Sequence, residues 1–291
     1  MKTGTTSFLS GIVLAGIITV RLPAAEINGS LTTGQNLNVN LSALGTEDWA
    51  LWGYGSGGTS TSLAPDVTKA GGSGISSLTY LNPHSQPLRG LGQFHINFGF
   101  SWTDGNTVAS ASGAWGGLQS NDAAGPGLGV GEGFSFTVPA DTFERILNVY
   151  VDEHLGVGKL TATLSDGSAP AYVNSAIPIG ANSPGVYTID YSAASPGQTL
   201  TVSWVETSYS ATYDNPAIYA VTLSAVPEPG ATTLMVLAGL TAGGFFLSRR
   251  KGIIATLLAV IAVQIPVGYQ DETGFHVGMK KQPELSDSKL E

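Results

Sequence analysis

The stretch Arg145-Ile146-Leu147-Asn148-Val149-Tyr150-Val151-Asp152-Glu153-His154-Leu155-Gly156-Val157-Gly158-Lys159-Leu160-Thr161-Ala162-Thr163-Leu164-Ser165-Asp166-Gly167 decides the fold class. Leu147, Val149 and Val151 recur at every second residue, as do Leu160, Ala162 and Leu164, and Asp166-Gly167 ends the run with a turn signal. Side chains along a strand alternate between faces, so this spacing predicts two half-buried strands. The same period returns in Tyr187, Ile189 and Tyr191, in Leu200, Val202 and Trp204, and in Tyr219, Val221 and Leu223. Each set is expected to share one face. Upstream, residues 37–41, 49–52, 75–81, 94–102, 108–114 and 134–138 bring the total to about eleven short strands. Asp104-Gly105 and Pro196-Gly197 supply further turns, and no heptad or long 3.6-residue pattern interrupts them. The expected fold is all-β, an antiparallel two-sheet sandwich of the jelly-roll kind spanning residues 26–225.

Composition narrows the function. Charged residues make up 11% of the 291-residue chain, less than half of the ~25% usual in soluble domains. Residues 26–225 hold four cations, Lys69, Arg89, Arg145 and Lys159, against fifteen carboxylates. Nucleic acid is held by basic patches, so it is excluded as a partner. The absence of cysteine removes disulfides, thiolate metal sites and a cysteine nucleophile.

The ends differ from the middle. Lys2 precedes the apolar run Phe8–Val20, whose 13 residues suit the core of a signal peptide and fall short of the ~20 of a membrane span. Residues 1–25 therefore read as a leader for the Sec translocon, ending at Ala24-Ala25. Near the other end, Val226-Pro227-Glu228-Pro229-Gly230 precedes Ala231–Ser248, which carries no charge. As a helix that segment would reach ~27 Å, close to the ~30 Å of a bilayer core. Arg249-Arg250-Lys251 follows at once as a stop-transfer cluster.

These three elements, in this order over residues 226–251, resemble the PEP-CTERM sorting signal of Gram-negative bacteria. The resemblance implies that an exosortase recognises Pro227, Glu228 and Pro229 and removes the helix. The protein would be held briefly in the inner membrane, then released to the cell surface or extracellular matrix. Members of that family usually end at the basic cluster, whereas here residues 252–291 continue. This tail reads either as a fusion of reading frames or as an interfacial helix followed by a polar segment. A second resemblance rests on Phe134–Asp141, Leu147–Val151, Leu160–Ser168, Ala194–Leu200 and Asp48–Gly53. These strand-and-turn features are similar to galactose-binding-like jelly rolls of bacterial surface proteins.

Catalytic chemistry finds little footing. The histidines His84, His95, His154 and His276 show no metal-ligand spacing, and no G-x-S-x-G elbow occurs. Asp152-Glu153-His154 reads as a solvated strand end, since adjacent strand residues face opposite ways. Glu47-Asp48, as sequence neighbours, make a poor acid/base pair for glycoside hydrolysis. An acidic sandwich is compatible with a structural calcium ion, although no contiguous loop names its ligands. Aromatic residues are the better lead, because tryptophan and tyrosine faces match the apolar C–H patches of sugars. Trp49 and Trp52, three positions apart, should face opposite sides, one into the core and one out. Trp52, Tyr54 and the glycine-flanked Trp115 form the expected glycan platform. The resulting expectation is a non-catalytic surface protein that binds extracellular polysaccharide. A polysaccharide hydrolase or lyase on the same sandwich, and a purely structural or adhesive protein, are the alternatives.

Overall fold

The computed structural model describes residues 24–34, 37–55, 61–91, 97–120, 129–209 and 215–226, together with residues 268–271 and 274–277. The chain divides into two units, Met1–Val226 and Pro227–Glu291. In the second, Gly268–Asp271 and Gly274–Val277 pair as an antiparallel hairpin. The leader before Ala24, Pro227, Glu228 and Pro229, the apolar segment after them, and Arg249, Arg250 and Lys251 all lie outside the described residues.

In the first unit the elements run, in chain order, β1 (Glu26–Thr33), β2 (Leu37–Asn40), α1 (Leu41–Leu44), β3 (Asp48–Leu51), β4 (Val67–Thr68), β5 (Thr79–Leu81), β6 (Leu88–Gly90), β7 (Phe98–Trp102), β8 (Ala111–Ala114), β9 (Leu118–Ser120), β10 (Gly133–Ala140), β11 (Arg145–His154), β12 (Gly156–Leu164), β13 (Tyr172–Asn174), β14 (Ser183–Ser192), β15 (Gln198–Tyr209) and β16 (Asn215–Ala225). The expected strands are all present. A five-stranded antiparallel sheet has the order β13-β12-β15-β10-β5, and an eight-stranded antiparallel sheet runs β1-β14-β11-β16-β3-β4. The far edge of β16 is shared: β3 pairs with residues 220–223, β9 pairs with 217–218, and β6 adds to β9.

These two sheets form the sandwich. Leu147, Val149 and Val151 of β11 and Tyr187, Ile189 and Tyr191 of β14 meet Leu160, Ala162 and Leu164 of β12 and Leu200, Val202 and Trp204 of β15 in one core. The period-2 sets therefore bury as expected, with one exception. Val221 and Leu223 join this core, but Tyr219 lies in a second one. The cause is a bulge: Tyr150 opposes Ala220 while Val151 opposes Ile218, leaving Tyr219 as the extra residue of β16. A bulge shifts the alternation by one position, so Tyr219 and Ala220 both turn to the opposite face.

That second core is absent from a simple two-sheet reading. It lies on the other face of the eight-stranded sheet, under a small mixed sheet of order β2-β7-β8 in which β2 and β7 run parallel. Phe98, Phe100 and Trp102 of β7 pack there on Trp49, Tyr150 and Tyr219. Phe98 stands edge-on to Tyr219 at 4.9 Å and to Tyr150 at 5.6 Å. An antiparallel sheet commonly leaves one face wet. Here nine successive residues of β16, Asn215 to Leu223, are buried.

Asp104, in the β7–β8 turn, anchors the covering sheet. Its carboxylate accepts from the Ser42 hydroxyl, from the Lys69 ammonium and, at 2.9 Å, from the Trp49 indole N–H. Partial burial works against the charge, yet these donors together hold the carboxyl below its usual range. One turn residue thus ties α1, β3 and the end of β4 to the third layer.

Two-sided burial sets an expectation for Trp49 and Trp52, which occupy opposite faces and are both fully buried. Trp49→Ala and Trp52→Ala should each lower the unfolding free energy by about 3–5 kcal/mol in denaturant titrations. Were the Trp49 face open to water, its variant would change stability by no more than ~0.5 kcal/mol.

Candidate functional site

Close backbone approach builds the candidate site. The carbonyl of Trp52, just past β3, accepts from Gly117 N at 2.6 Å, and Trp52 N donates to Tyr219 O at 3.1 Å. Gly53, at φ +67°, abuts Gly117 so closely that a Cβ there would overlap the Gly117 backbone. A Cβ on Gly116 would sit 2.5 Å from the Trp52 carbonyl. Only residues without side chains let segments 52–54 and 115–117 press together. The consequence is that Tyr54 and Trp115 border the same surface feature. With Gly55 and residues Ala111–Ala114 of β8 they line a surface groove of about 290 Å³.

Tyr54 is firmly placed. Its amide donates to Asp66 Oδ2 at 3.2 Å, and its ring meets Trp102 edge to face, 5.4 Å between centroids. Trp102 in turn donates from Nε1 to Val108 O at 2.7 Å and packs on Trp49 at 5.5 Å. The half-buried tyrosine is thus the rim of the second core. Trp115 is half-buried, and among the described residues β8 pairs only with β7. The sequence signal for Trp115 was its glycine flank; the role of Gly53 had none, because it depends on a strand end distant in sequence.

Trp52 does not belong to this platform. Its ring is in the sandwich core, 6.5 Å from Phe136, and its indole N–H donates to Leu63 O at 3.1 Å. The three-residue offset does send Trp49 and Trp52 to opposite faces, as expected. Neither faces solvent, because the third layer covers the side opposite the sandwich core.

Glu47 accepts from Arg145 Nε at 2.8 Å, whereas Asp48 is buried and accepts from Gly74 N and Ile75 N at 2.7 and 3.0 Å. They serve as separate clamps. The strand end Asp152-Glu153-His154 is not solvated as a whole: Asp152 and Glu153 are buried, and the half-buried His154 ring bonds to the Ala181 carbonyl. Asp152 accepts from Ser183 N at 2.7 Å, from the Tyr219 hydroxyl at 3.2 Å and from the Asn97 amide at 2.5 Å. Burial still outweighs these donors and pushes its carboxyl up to about 6. Glu153 points the other way, and it and Glu206 both reach into the space beside Gly156. Both are fully buried, as is Glu132, which accepts from the Tyr80 and Ser120 hydroxyls. Burial raises the Glu132 carboxyl as well. Glu153 and Glu206 lie close together, and none of these carboxylates belongs to the groove lining. Among the described residues no three His, Asp or Glu side chains gather as a metal site. No family model matches the chain, and no curated protein is found similar to it.

Asp152 makes stability pH-dependent. Its folded-state proton is held more tightly than in the unfolded chain, so its contribution falls as pH rises from about 4 through about 6. The loss should be on the order of 2–3 kcal/mol. Denaturant unfolding at pH 4 to 8 checks this. Asp152→Asn should gain on the parent protein across that window and keep a constant offset above it.

Proposed function

We propose that the protein is an exported, non-catalytic surface or matrix component whose jelly-roll-type sandwich binds extracellular polysaccharide along the Tyr54–Trp115 groove. The observation that carries this reading is that two half-buried aromatic side chains, Tyr54 and Trp115, line one open groove. A sugar ring has an apolar face and a polar rim. Tyr54 and Trp115 suit the first, while the Ser112 hydroxyl suits the second. At about 290 Å³ the groove falls just below the ~300–1,000 Å³ typical of ligand pockets, which favours a polymer lying across it over an enclosed small molecule.

Export belongs to the same proposal. It is supported by the sequence of the leader, by Pro227, Glu228 and Pro229, and by the uncharged segment ending at Arg249, Arg250 and Lys251. The partners are the Sec translocon, an exosortase and the polysaccharide itself. Neither a cofactor nor a catalytic group enters this role.

Mass spectrometry of the exported protein from its host should find no peptide extending past Arg250. Such peptides throughout the exported pool would remove the processing step. Affinity electrophoresis through gels containing a polysaccharide panel tests the groove. Tyr54→Ala and Trp115→Ala should each weaken retardation by about 2- to 12-fold. Trp52→Phe, altered only inside the core, should leave it unchanged. Equal retardation of all variants would rule out the groove as the binding surface.

A further inference from the structure

The lining of the groove also discriminates between kinds of polysaccharide. Tyr54, Gly55, Ala111–Ala114 and Trp115 include no charged side chain. Among the described residues, the acidic side chain that bonds to this segment is Asp66, whose carboxylate accepts the Tyr54 amide. The four cations of the sandwich are placed elsewhere. Lys69 is bound to Asp104, and Arg145 is bound to Glu47 and Asp141. Lys159 belongs to β12 in the five-stranded sheet. Arg89 stands on β6 opposite Gln119 and is not part of the lining. Residues 56–60, 92–96 and 121–128 contain neither lysine nor arginine.

A uronate or sulfate group brought against these aromatics would lose hydration without gaining a cation, which costs free energy. It would also approach a domain with fifteen carboxylates against four cations, whose field repels anions. An uncharged hexose polymer meets neither penalty. Its C–H faces stack on Tyr54 and Trp115, and its hydroxyls bond to Ser112. We infer that the groove selects neutral polysaccharides and rejects polyanionic ones, an inference that rests on the glycan-binding reading above.

The test is affinity electrophoresis of the full chain through dextran, laminarin and galactan as uncharged probes, and through alginate and hyaluronan as polyanions, at 20 and 300 mM NaCl. At least one uncharged polymer should retard the protein, with less than a twofold change between the two salts, and Trp115→Ala should weaken that retardation. Alginate and hyaluronan should give none at either salt. Ser112→Arg should then create binding to alginate, about 5-fold above background at 20 mM and lost at 300 mM. Retardation by a polyanion that Trp115→Ala abolishes would overturn the selectivity while leaving the groove as a glycan site. Retardation by neither class, with the protein folded by circular dichroism, would overturn the glycan reading itself and the selectivity with it.

Discussion

Everything in the sandwich unit depends on the outer face of the eight-stranded sheet being covered. β16 runs through its middle with both faces apolar, so a two-layer arrangement would leave Tyr219, Ala220, Trp49 and Leu51 against water. An exposed aromatic patch of that kind is costly and prone to association. The chain answers with a third layer built from residues far apart in sequence, and Asp104 fixes that layer by binding three elements at once. Where the third layer ends, its last ring, Tyr54, emerges at the surface. The candidate site is therefore the margin of a core and inherits the rigidity of what it borders.

Charge is distributed in a way the composition does not announce. An acidic domain would be expected to keep its carboxylates in water, yet Asp48, Glu132, Asp152, Glu153 and Glu206 are all buried. Burying a carboxylate is tolerable where donors converge on it or where its proton is retained. Asp48 takes the first route, with three backbone amides. Asp152 combines the two: three donors hold it, and burial still raises its proton affinity. Gly156 and Gly158 make room for the Glu153 carboxylate, since a Cβ at either would lie 2.7 Å from one of its oxygens.

Much of this fold was legible as period-2 spacing, because a strand with one wet face must alternate. β11, β12, β14 and β15 follow that rule along the sandwich core. The failures occur where the rule loses its premise. At Tyr219 a bulge breaks the alternation, and nothing local in Asn215–Ala225 marks it, since its cause is the register against Tyr150 and Val151. At Trp52 the alternation holds, but a second buried face removes the solvent that was to receive the ring. β1, β4, β6, β9 and β13 escaped notice because short or edge strands lack a buried set long enough to show a period: β4 has two residues, and β1 has only Ile27 and Leu31 partly buried. Sandwich membership was readable from single strands, whereas the number of layers is a property of the whole assembly.

The contrast between Trp115 and the pair Trp49 and Trp52 follows from the same physics. In Asp48-Trp49-Ala50-Leu51-Trp52 each ring sits among residues that form a strand, and a strand inside a three-layer stack has no wet side. Trp115 is followed by Gly116-Gly117, where the backbone leaves β8 and docks against the end of β3. Trp115 thus lies just past β8, beside the dock, and is only half-buried. Tyr54, beyond the end of β3 on the other side of the dock, is half-buried as well. Glycine neighbours alone do not decide exposure, since Trp52 beside Gly53, Phe98 and Phe100 on either side of Gly99, and Phe134 after Gly133 are all buried. What separates Tyr54 and Trp115 from those rings is their place beyond the strands that the third layer covers.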